Sequence, residues 1–194
     1  RAWIRATYLA TMSSTAKSSA VIRFVFGKNV LSHADDAQAA TEADRHGDVE
    51  LIDASDFAER GGIFSCIDKL FAWFPHAIRA FPGAHFYGKV DDDSLVSLPH
   101  LLGMLAPIRT LHNVYFGYLQ YDSFIPAQWK HCGWAAGPIG AAVDAKHGCP
   151  GDAVGPFPFV VGALTIFGSD LSHWFAESEY VRDVVQRGRA SQVR

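Results

Sequence analysis

Three consecutive aspartates, Asp91, Asp92 and Asp93, are the side chains in this sequence whose type and spacing best suit chemistry. They follow a short run with strand propensity, residues 85–90. Adjacent carboxylates repel one another unless a cation is near, and their hard oxygen atoms suit Mg²⁺ or Mn²⁺. Ligands of α/β proteins bind where strands end, and in an extended chain Asp91 and Asp93 share one side. The pattern therefore predicts that the outer two aspartates hold one metal ion or its diphosphate ligand.

A second interpretation of the triplet remains open. Asp93 and Ser94 precede the apolar stretch 95–105, and aspartate is a common helix N-cap, so the triplet could simply begin a helix. The D-x-D spacing is by itself a weak motif. The position of the triplet after a strand favours the metal site.

The composition indicates one globular domain and argues against several function classes. Of the 194 residues, 49% are hydrophobic and 19% charged, which is enough for a substantial core, and that core is the first explanation of the many aromatic residues. A net charge of −3 without basic runs argues against a nucleic-acid partner or a membrane surface. Three cysteines without a C-x-x-C pair argue against structural zinc.

Among the histidines, we expect His85 and His173 near the aspartates and assign neither a role.

Hydrophobic patterning places the aspartates within alternating strands and helices. Strands are predicted at 21–27, 47–53, 85–90, 114–119 and 159–167. Helices are predicted at 33–46, 63–81, 98–105 and 171–185, with Pro75 expected to kink or divide the second of them. This alternation predicts a mostly parallel, doubly wound sheet. A Gly-, Ala- and Pro-rich segment, 126–158, is predicted to be a long loop, a type of segment that often carries function.

Three basic side chains could serve the same site. Arg1 and Arg5 are four residues apart, so they share one face of a helical turn, and planar guanidinium groups suit phosphate or carboxylate. From spacing alone, the favoured interpretation is that the two arginines lie on a solvated terminal helix. Lys89 either neutralises the aspartates or reaches solvent from its strand. We favour the first interpretation, because adjacent acids raise one another's pKa unless a cation is near.

Four places along the chain resemble one known family. Residues 1–8, RAWIRATY, are similar to a family motif R-x-x-I-R-x-T-W, and RFVFG at 23–27 with HGD at 46–48 is similar to its first two strands. KVDDD at 89–93 matches the K-x-D-D-D metal motif. Pro158-Phe159, Gly162 and Asp170-Leu171 are similar to its P-Y-C-x-G and S-x-D-L segments. These motifs resemble the β-1,3-galactosyltransferase family of glycosyltransferases, which includes the β-1,3-N-acetylglucosaminyltransferases.

The sequence departs from this family at three places. Lys69 is nearly all that remains of a D-x-Y-x-N-L-T-L-K segment, and Val160 stands where the family has cysteine. The family's acidic E-D-V-x-x-G segment, which resembles the source of its catalytic base, has no convincing match before Arg194; Asp183 is a poor candidate. We therefore expect residues 1–194 to be a single but incomplete domain, with its C-terminal part and its base beyond Arg194.

The resemblance implies a fold and an activity. The fold would be α/β of the GT-A type, a Rossmann-like, mostly parallel sheet flanked by helices. The activity would be transfer of galactose or N-acetylglucosamine from a UDP-sugar to a glycan or glycoprotein hydroxyl with inversion, in protein glycosylation. Such enzymes are held in the Golgi membrane by a signal anchor that this chain does not contain, with the catalytic domain in the lumen.

The resemblance also implies roles for particular residues. Asp91 and Asp93 would hold Mn²⁺ or Mg²⁺. The nucleotide-sugar contacts would come from Arg1, Arg5, Lys89 and Asp92, and the acceptor side from Phe159 and Gly162.

Two other function classes remain open. A catalytically inactive UDP-sugar or glycan-binding module would fit the missing base and the altered motifs. A D-x-D phosphohydrolase fits less well, because its nucleophilic aspartate normally follows the first strand, and here that strand ends at Phe26-Gly27.

Overall fold

The computed structural model describes residues 1–10, 19–28, 33–54, 64–124 and 154–192. Most of the predicted loop 126–158 therefore lies outside the described residues. In chain order the elements are helix α1 (Ala2–Ile4) with a π-helical continuation (Arg5–Leu9), β1 (Phe24–Gly27), α2 (His33–His46), β2 (Val49–Ile52), α3 (Phe64–Ala80), β3 (Phe86–Val90), α4 (Leu98–Leu105) with a 3₁₀ turn (Ala106–Ile108), β4 (Tyr115–Phe124), β5 (Val154–Gly168), α5 (Ser169–Glu177) and α6 (Glu179–Gln192). None of the helices in these ranges has both the length and the apolar character needed to cross a membrane.

The described strands form two sheets. β1 and β2 pair in parallel, with Phe24 opposite Val49, which confirms the predicted α/β class with a parallel sheet. The larger sheet has the order β3-β5-β4 and is antiparallel, unlike the mostly parallel sheet expected. The reason is that β5 lies between β3 and β4. These two strands run in the same direction, as their connecting helix α4 predicts, but they are not neighbours.

Helix α3 carries the core that holds the larger sheet. Its apolar residues recur at helical spacing, and Phe74 and Ala77 are fully buried. Phe74 stacks on Phe167 of β5, with ring centroids 4.7 Å apart, and meets the edge of Phe175 of α5 at 5.2 Å. Such aromatic pairs add to the stabilisation from buried area. Pro75 does not divide the helix, which is continuous over Phe64–Ala80.

Two side-chain hydrogen bonds fix β3 against α3. The Trp73 indole donates to the carbonyl of Gly88 at 3.1 Å, and the Tyr87 hydroxyl donates to the carbonyl of Phe81 at 2.7 Å. Tyr87 is only 5% exposed, and its burial raises the pKa of its hydroxyl. The strand that leads to the aspartates therefore has little freedom to slide against the helix.

The C-terminal helix is interrupted, although one helix was expected over 171–185. Ser178 between α5 and α6 has extended backbone, with φ −64° and ψ 119°. Its hydroxyl accepts a hydrogen bond from the Val181 amide at 3.4 Å, so it acts as the N-cap of α6, a position that serine favours. The hydrophobic periodicity continues across this break, which is why the pattern alone did not reveal it.

Arg1 and Arg5 hold α1 against α2 and the parallel sheet. Arg1 donates to Glu42 through Nε at 2.9 Å and Nη2 at 2.7 Å. Arg5 donates to Asp48 through Nε and Nη2, both at 2.7 Å, and to Glu42 through Nη1 at 2.6 Å. The guanidinium groups also lie over aromatic rings of β1, 4.5 Å from the Phe26 centroid for Arg1 and 4.7 Å from that of Phe24 for Arg5.

This network changes the acidity of its members. Hydrogen bonds from Arg1 and then Arg5 outweigh the effect of burial and lower the pKa of Glu42 to about 2. The hydrogen bonds from Arg5 likewise lower the pKa of Asp48, and both carboxylates hold the pKa of Arg5 above its usual range. Glu42 and Asp48 therefore stay charged, and paired, well into the acid range.

Replacing Gly88 tests how closely β3 approaches β5. A Cβ on Gly88 would lie 2.6 Å from the Thr165 carbonyl oxygen and 2.8 Å from Ile166 Cγ1, so the backbone must shift. Gly88→Ala is expected to lower the free energy of unfolding by about 2 kcal/mol. The matched control is Gly103→Ala in α4, where the added Cβ meets no atom within 4 Å. Urea denaturation should show a midpoint below that of the wild type for Gly88→Ala but not for Gly103→Ala. A Gly88→Ala midpoint equal to that of the wild type would contradict the close approach.

Replacing Arg5 tests the ion-pair network. Arg5→Gln is expected to lower the free energy of unfolding at pH 7 by about 2 kcal/mol, because hydrogen bonds to charged groups are lost. The lowered pKa of Glu42 means that the network stabilises the fold above the unfolded-state pKa of about 4.3. This stabilisation is lost as the pH falls towards about 2.

The unfolding free energies of the wild type and Arg5→Gln should therefore converge between about pH 5 and pH 2. Denaturant titrations at several pH values measure this difference. Arg182→Gln, an exposed substitution on α6, is the control and should leave both the stability and its pH dependence unchanged. If the unfolding free energies of Arg5→Gln and the wild type differed by the same amount across this pH range, the network would not titrate as described.

Candidate active site

The three aspartates form a turn at the end of β3. The Asp91 amide donates to the Ala163 carbonyl at 3.1 Å, and the Ser94 amide donates back to the Asp91 carbonyl at 3.0 Å. We call residues 91–94 the acidic turn. The expectation that Asp91 and Asp93 share one side of an extended chain is wrong, because the strand ends at Val90 and the chain reverses. Aspartate and serine are common turn residues, since their side chains can hydrogen-bond nearby backbone.

The acidic turn does not begin a helix. Helix α4 starts at Leu98, and its N-cap residue is Ser97, so the N-cap interpretation of the triplet is wrong. The side chains of Asp91, Asp92 and Asp93 are all exposed. Their carboxylates can therefore face a ligand.

Lys89 pairs with the first aspartate of the turn. Its ammonium group donates to Asp91 Oδ1, which is the first of the two interpretations of this lysine. Gly162 of β5 faces the same pair, because a Cβ there would lie 3.3 Å from Lys89 Nζ and 3.5 Å from Asp91 Oδ2. The structure thus brings together Lys89, Asp91 and Gly162, although Lys89 and Gly162 are 73 positions apart in the sequence. Their contacts with nucleotide sugar or acceptor stay predictions.

Other predicted site residues lie elsewhere. Arg1 and Arg5 bind Glu42 and Asp48 beside the parallel sheet, so their guanidinium groups are engaged by carboxylates, and nucleotide binding by them stays a prediction. Phe159 is half-buried in β5 opposite Gln120, three residues before Gly162. At about 3.3 Å per residue, this places the two about 10 Å apart along the strand.

The two histidines expected near the aspartates lie at the opposite end of β3, where the strand begins. His85 precedes β3, six residues before Asp91, or about 20 Å along an extended chain. The Ser169 amide donates to the His85 carbonyl at 2.9 Å, and a ring nitrogen of His173 lies 2.7 Å from the Ser169 carbonyl oxygen. Both histidines therefore belong to the start of β3 rather than to the acidic turn. The expectation that the two histidines lie near the aspartates is therefore wrong, because the length of β3 separates them from the acidic turn.

An open cleft of about 460 Å³ begins at the acidic turn. It lies between the segment that leads into α4, helix α4 itself, and the strands β4 and β5. Its lining residues are Ser94, Leu95, Val96, Ser97, His100, Leu101, Met104, Phe116, Gly117, Tyr118, Ala163 and Leu164. Sequence reasoning missed this cleft because it exists only once β5 is placed between β3 and β4, and no local pattern carries that information.

The donor chemistry of the acidic turn fits a hard divalent cation. In the described part of the chain, no three His, Cys, Asp or Glu side chains gather into a metal site. Mg²⁺ in nucleotide sites, however, commonly uses only one or two carboxylates, with substrate phosphates and water completing its shell. Asp91 and Asp93 are exposed carboxylates of this kind, so the residues present fit such an ion.

Comparison with known proteins identifies the family. Residues 1–136, more than two thirds of the chain, match the model of the Galactosyltransferase family. No curated protein matches the chain. The matched residues include Lys89, the whole acidic turn, α4 and the part of β4 that lines the cleft. The chain therefore belongs to the Galactosyltransferase family.

Proposed function

We propose that this protein transfers a hexose, galactose or N-acetylglucosamine, from a UDP-sugar to a hydroxyl group of a glycan or glycoprotein, with inversion at the anomeric carbon. Membership of the Galactosyltransferase family gives glycosyl transfer. The observation that supports the finer proposal is the exposed acidic turn at the mouth of an open cleft. By resemblance to β-1,3-galactosyltransferases, we place the reaction in protein glycosylation in the Golgi lumen.

The acidic turn would bind the diphosphate end of the donor. In this proposal Asp91 and Asp93 hold Mn²⁺ or Mg²⁺, which supplies Lewis-acid positive charge beside the departing diphosphate. Lys89 balances the charge of Asp91, with which it pairs. Asp92, exposed in the same turn, is free to accept hydrogen bonds from ribose or sugar hydroxyls.

The acceptor hydroxyl must lose a proton, and an inverting transfer needs a general base to take it. The cleft residues that the structure describes include one imidazole, His100, and no carboxylate. The resemblance implies a carboxylate base, so no described residue is assigned this role. The altered motifs at Lys69 and Val160 favour a second candidate function, a catalytically inactive UDP-sugar or glycan-binding module. The two functions differ in turnover rather than in UDP binding.

Replacing the outer aspartates tests the transferase proposal. In the full-length protein, Asp91→Asn and Asp93→Asn are each expected to lower the transfer rate by about 10²–10³-fold, because charge stabilisation of the leaving group is lost. Release of UDP from UDP-galactose or UDP-N-acetylglucosamine in the presence of an acceptor measures the rate. Asp44→Asn, exposed on α2, is the matched control and should retain wild-type turnover.

Thermal unfolding should show that all three variants are folded. Unchanged turnover in Asp91→Asn and Asp93→Asn would reject the proposed site. A wild-type protein that binds UDP but never releases it from a UDP-sugar would instead favour the binding module.

Removing divalent cations tests the metal independently of catalysis. UDP affinity, measured by calorimetry, should weaken at least about tenfold when EDTA is present, a loss of about 1.4 kcal/mol, and should return when Mn²⁺ is added in excess. In the double variant Asp91→Asn, Asp93→Asn, EDTA and Mn²⁺ should make no difference. Equal UDP affinity with and without Mn²⁺ in the wild type would contradict a metal at this turn.

A further inference from the structure

The cleft beside the acidic turn is lined mostly by apolar side chains. Among the lining residues that the structure describes, none is Asp, Glu, Lys or Arg. Several of the apolar ones are strongly exposed: Leu95 is 72% exposed, Tyr118 69% and Met104 43%. Large apolar side chains that share one concave surface, rather than being scattered singly, mark a binding site.

The cleft is continuous with the acidic turn. Ser94, the last residue of the turn, is the first lining residue of the cleft, and Ala163, another lining residue, accepts the amide hydrogen bond of Asp91 at 3.1 Å. A ligand in the cleft would therefore lie next to whatever the aspartates hold. This is the position that the second substrate of a transfer reaction must occupy, because the reacting atoms have to approach within about 3–3.5 Å.

The charge of the cleft decides which substrate it fits. A nucleotide diphosphate carries negative charge and would meet no lysine or arginine among the described residues of this lining. Burying such a charge without a partner is costly. An uncharged molecule carries no such penalty, and Ser94, Ser97 and His100 offer hydrogen-bonding groups for hydroxyls in an otherwise apolar surface.

We propose that this cleft binds the acceptor, and that it selects acceptors in which the hydroxyl-bearing sugar is joined to an apolar aryl or alkyl group. The inference rests on the proposed transferase function and adds its acceptor class. Leu95, Met104 and Tyr118 pack against the apolar group.

The test compares phenyl with methyl β-glycosides of galactose and N-acetylglucosamine. Ligand-observed NMR titration measures their binding without turnover, and KM measures it during transfer. Wild type is expected to favour the phenyl glycoside at least about tenfold, the gain expected from burying a ring. Leu95→Ser and Met104→Ser should each reduce this preference to less than about threefold, while KM for the UDP-sugar stays unchanged.

The matched control is Leu111→Ser. Leu111 is also a strongly exposed leucine, at 58%, but it is not among the cleft residues, so Leu111→Ser should keep the full preference for phenyl glycosides. Thermal unfolding should be unchanged in all three serine variants, since each replaces an exposed side chain.

Three results would overturn the inference. The first is equal binding of phenyl and methyl glycosides by the wild type, and the second is a preference that survives both Leu95→Ser and Met104→Ser. The third is a change of oligomeric state in Leu95→Ser without a change of preference, which would assign the cleft to a second copy of the chain. In each case UDP release from UDP-sugar would be unaffected, so the proposed function would stand. Failure of the proposed function would appear instead as absent UDP binding or turnover in every variant.

Discussion

The pairing of β3 with β5 is the interaction on which the candidate site depends. Its register runs from Phe86 opposite Gly168 to Val90 opposite Leu164, and the Asp91 amide extends it by one bond to Ala163. A slip of one residue would turn every side chain of β3 to the other face of the sheet. Buried Tyr87 would then face outward, and Lys89 and Asp91 would move away from Gly162 of β5. The pairing thus fixes at once the core, the position of the ion pair relative to β5 and the wall of the cleft.

Helix α3 stabilises this register. Phe74 stacks against Phe167 on β5, while Trp73 and Tyr87 tie β3 to the same helix through hydrogen bonds to the backbone. The two strands are therefore positioned both by each other and by a common helix. Precise placement of functional groups needs this kind of support from rigid elements, because a small misplacement weakens both binding and catalysis.

Local patterns in the sequence predicted local structure well. Helices α2 and α4 have the predicted bounds, His33–His46 and Leu98–Leu105, because helix propensity and a following proline are local signals. The sequence also identified the aspartates and the pairing of Lys89 with an acid, because three adjacent carboxylates need a cation. The cleft and the position of β5 could not be predicted, since they depend on contacts between residues 30 to 82 positions apart. The partners of Arg1 and Arg5 were missed for the same reason: a guanidinium suits phosphate and carboxylate equally, and Glu42 lies 41 positions from Arg1.

The glycine at position 162 has a consequence for how such a site can diversify. At Gly162 the acidic turn meets main-chain atoms of β5, and a side chain there would crowd Lys89 and Asp91. The cleft wall, in contrast, includes surface side chains of α4 and β4, such as Met104 and Tyr118, which support none of the described contacts of the turn. Mutations accumulating on the α4 and β4 side could therefore change the molecules that the protein accepts while the charged centre stays intact, so that new specificities arise without the loss of the original chemistry.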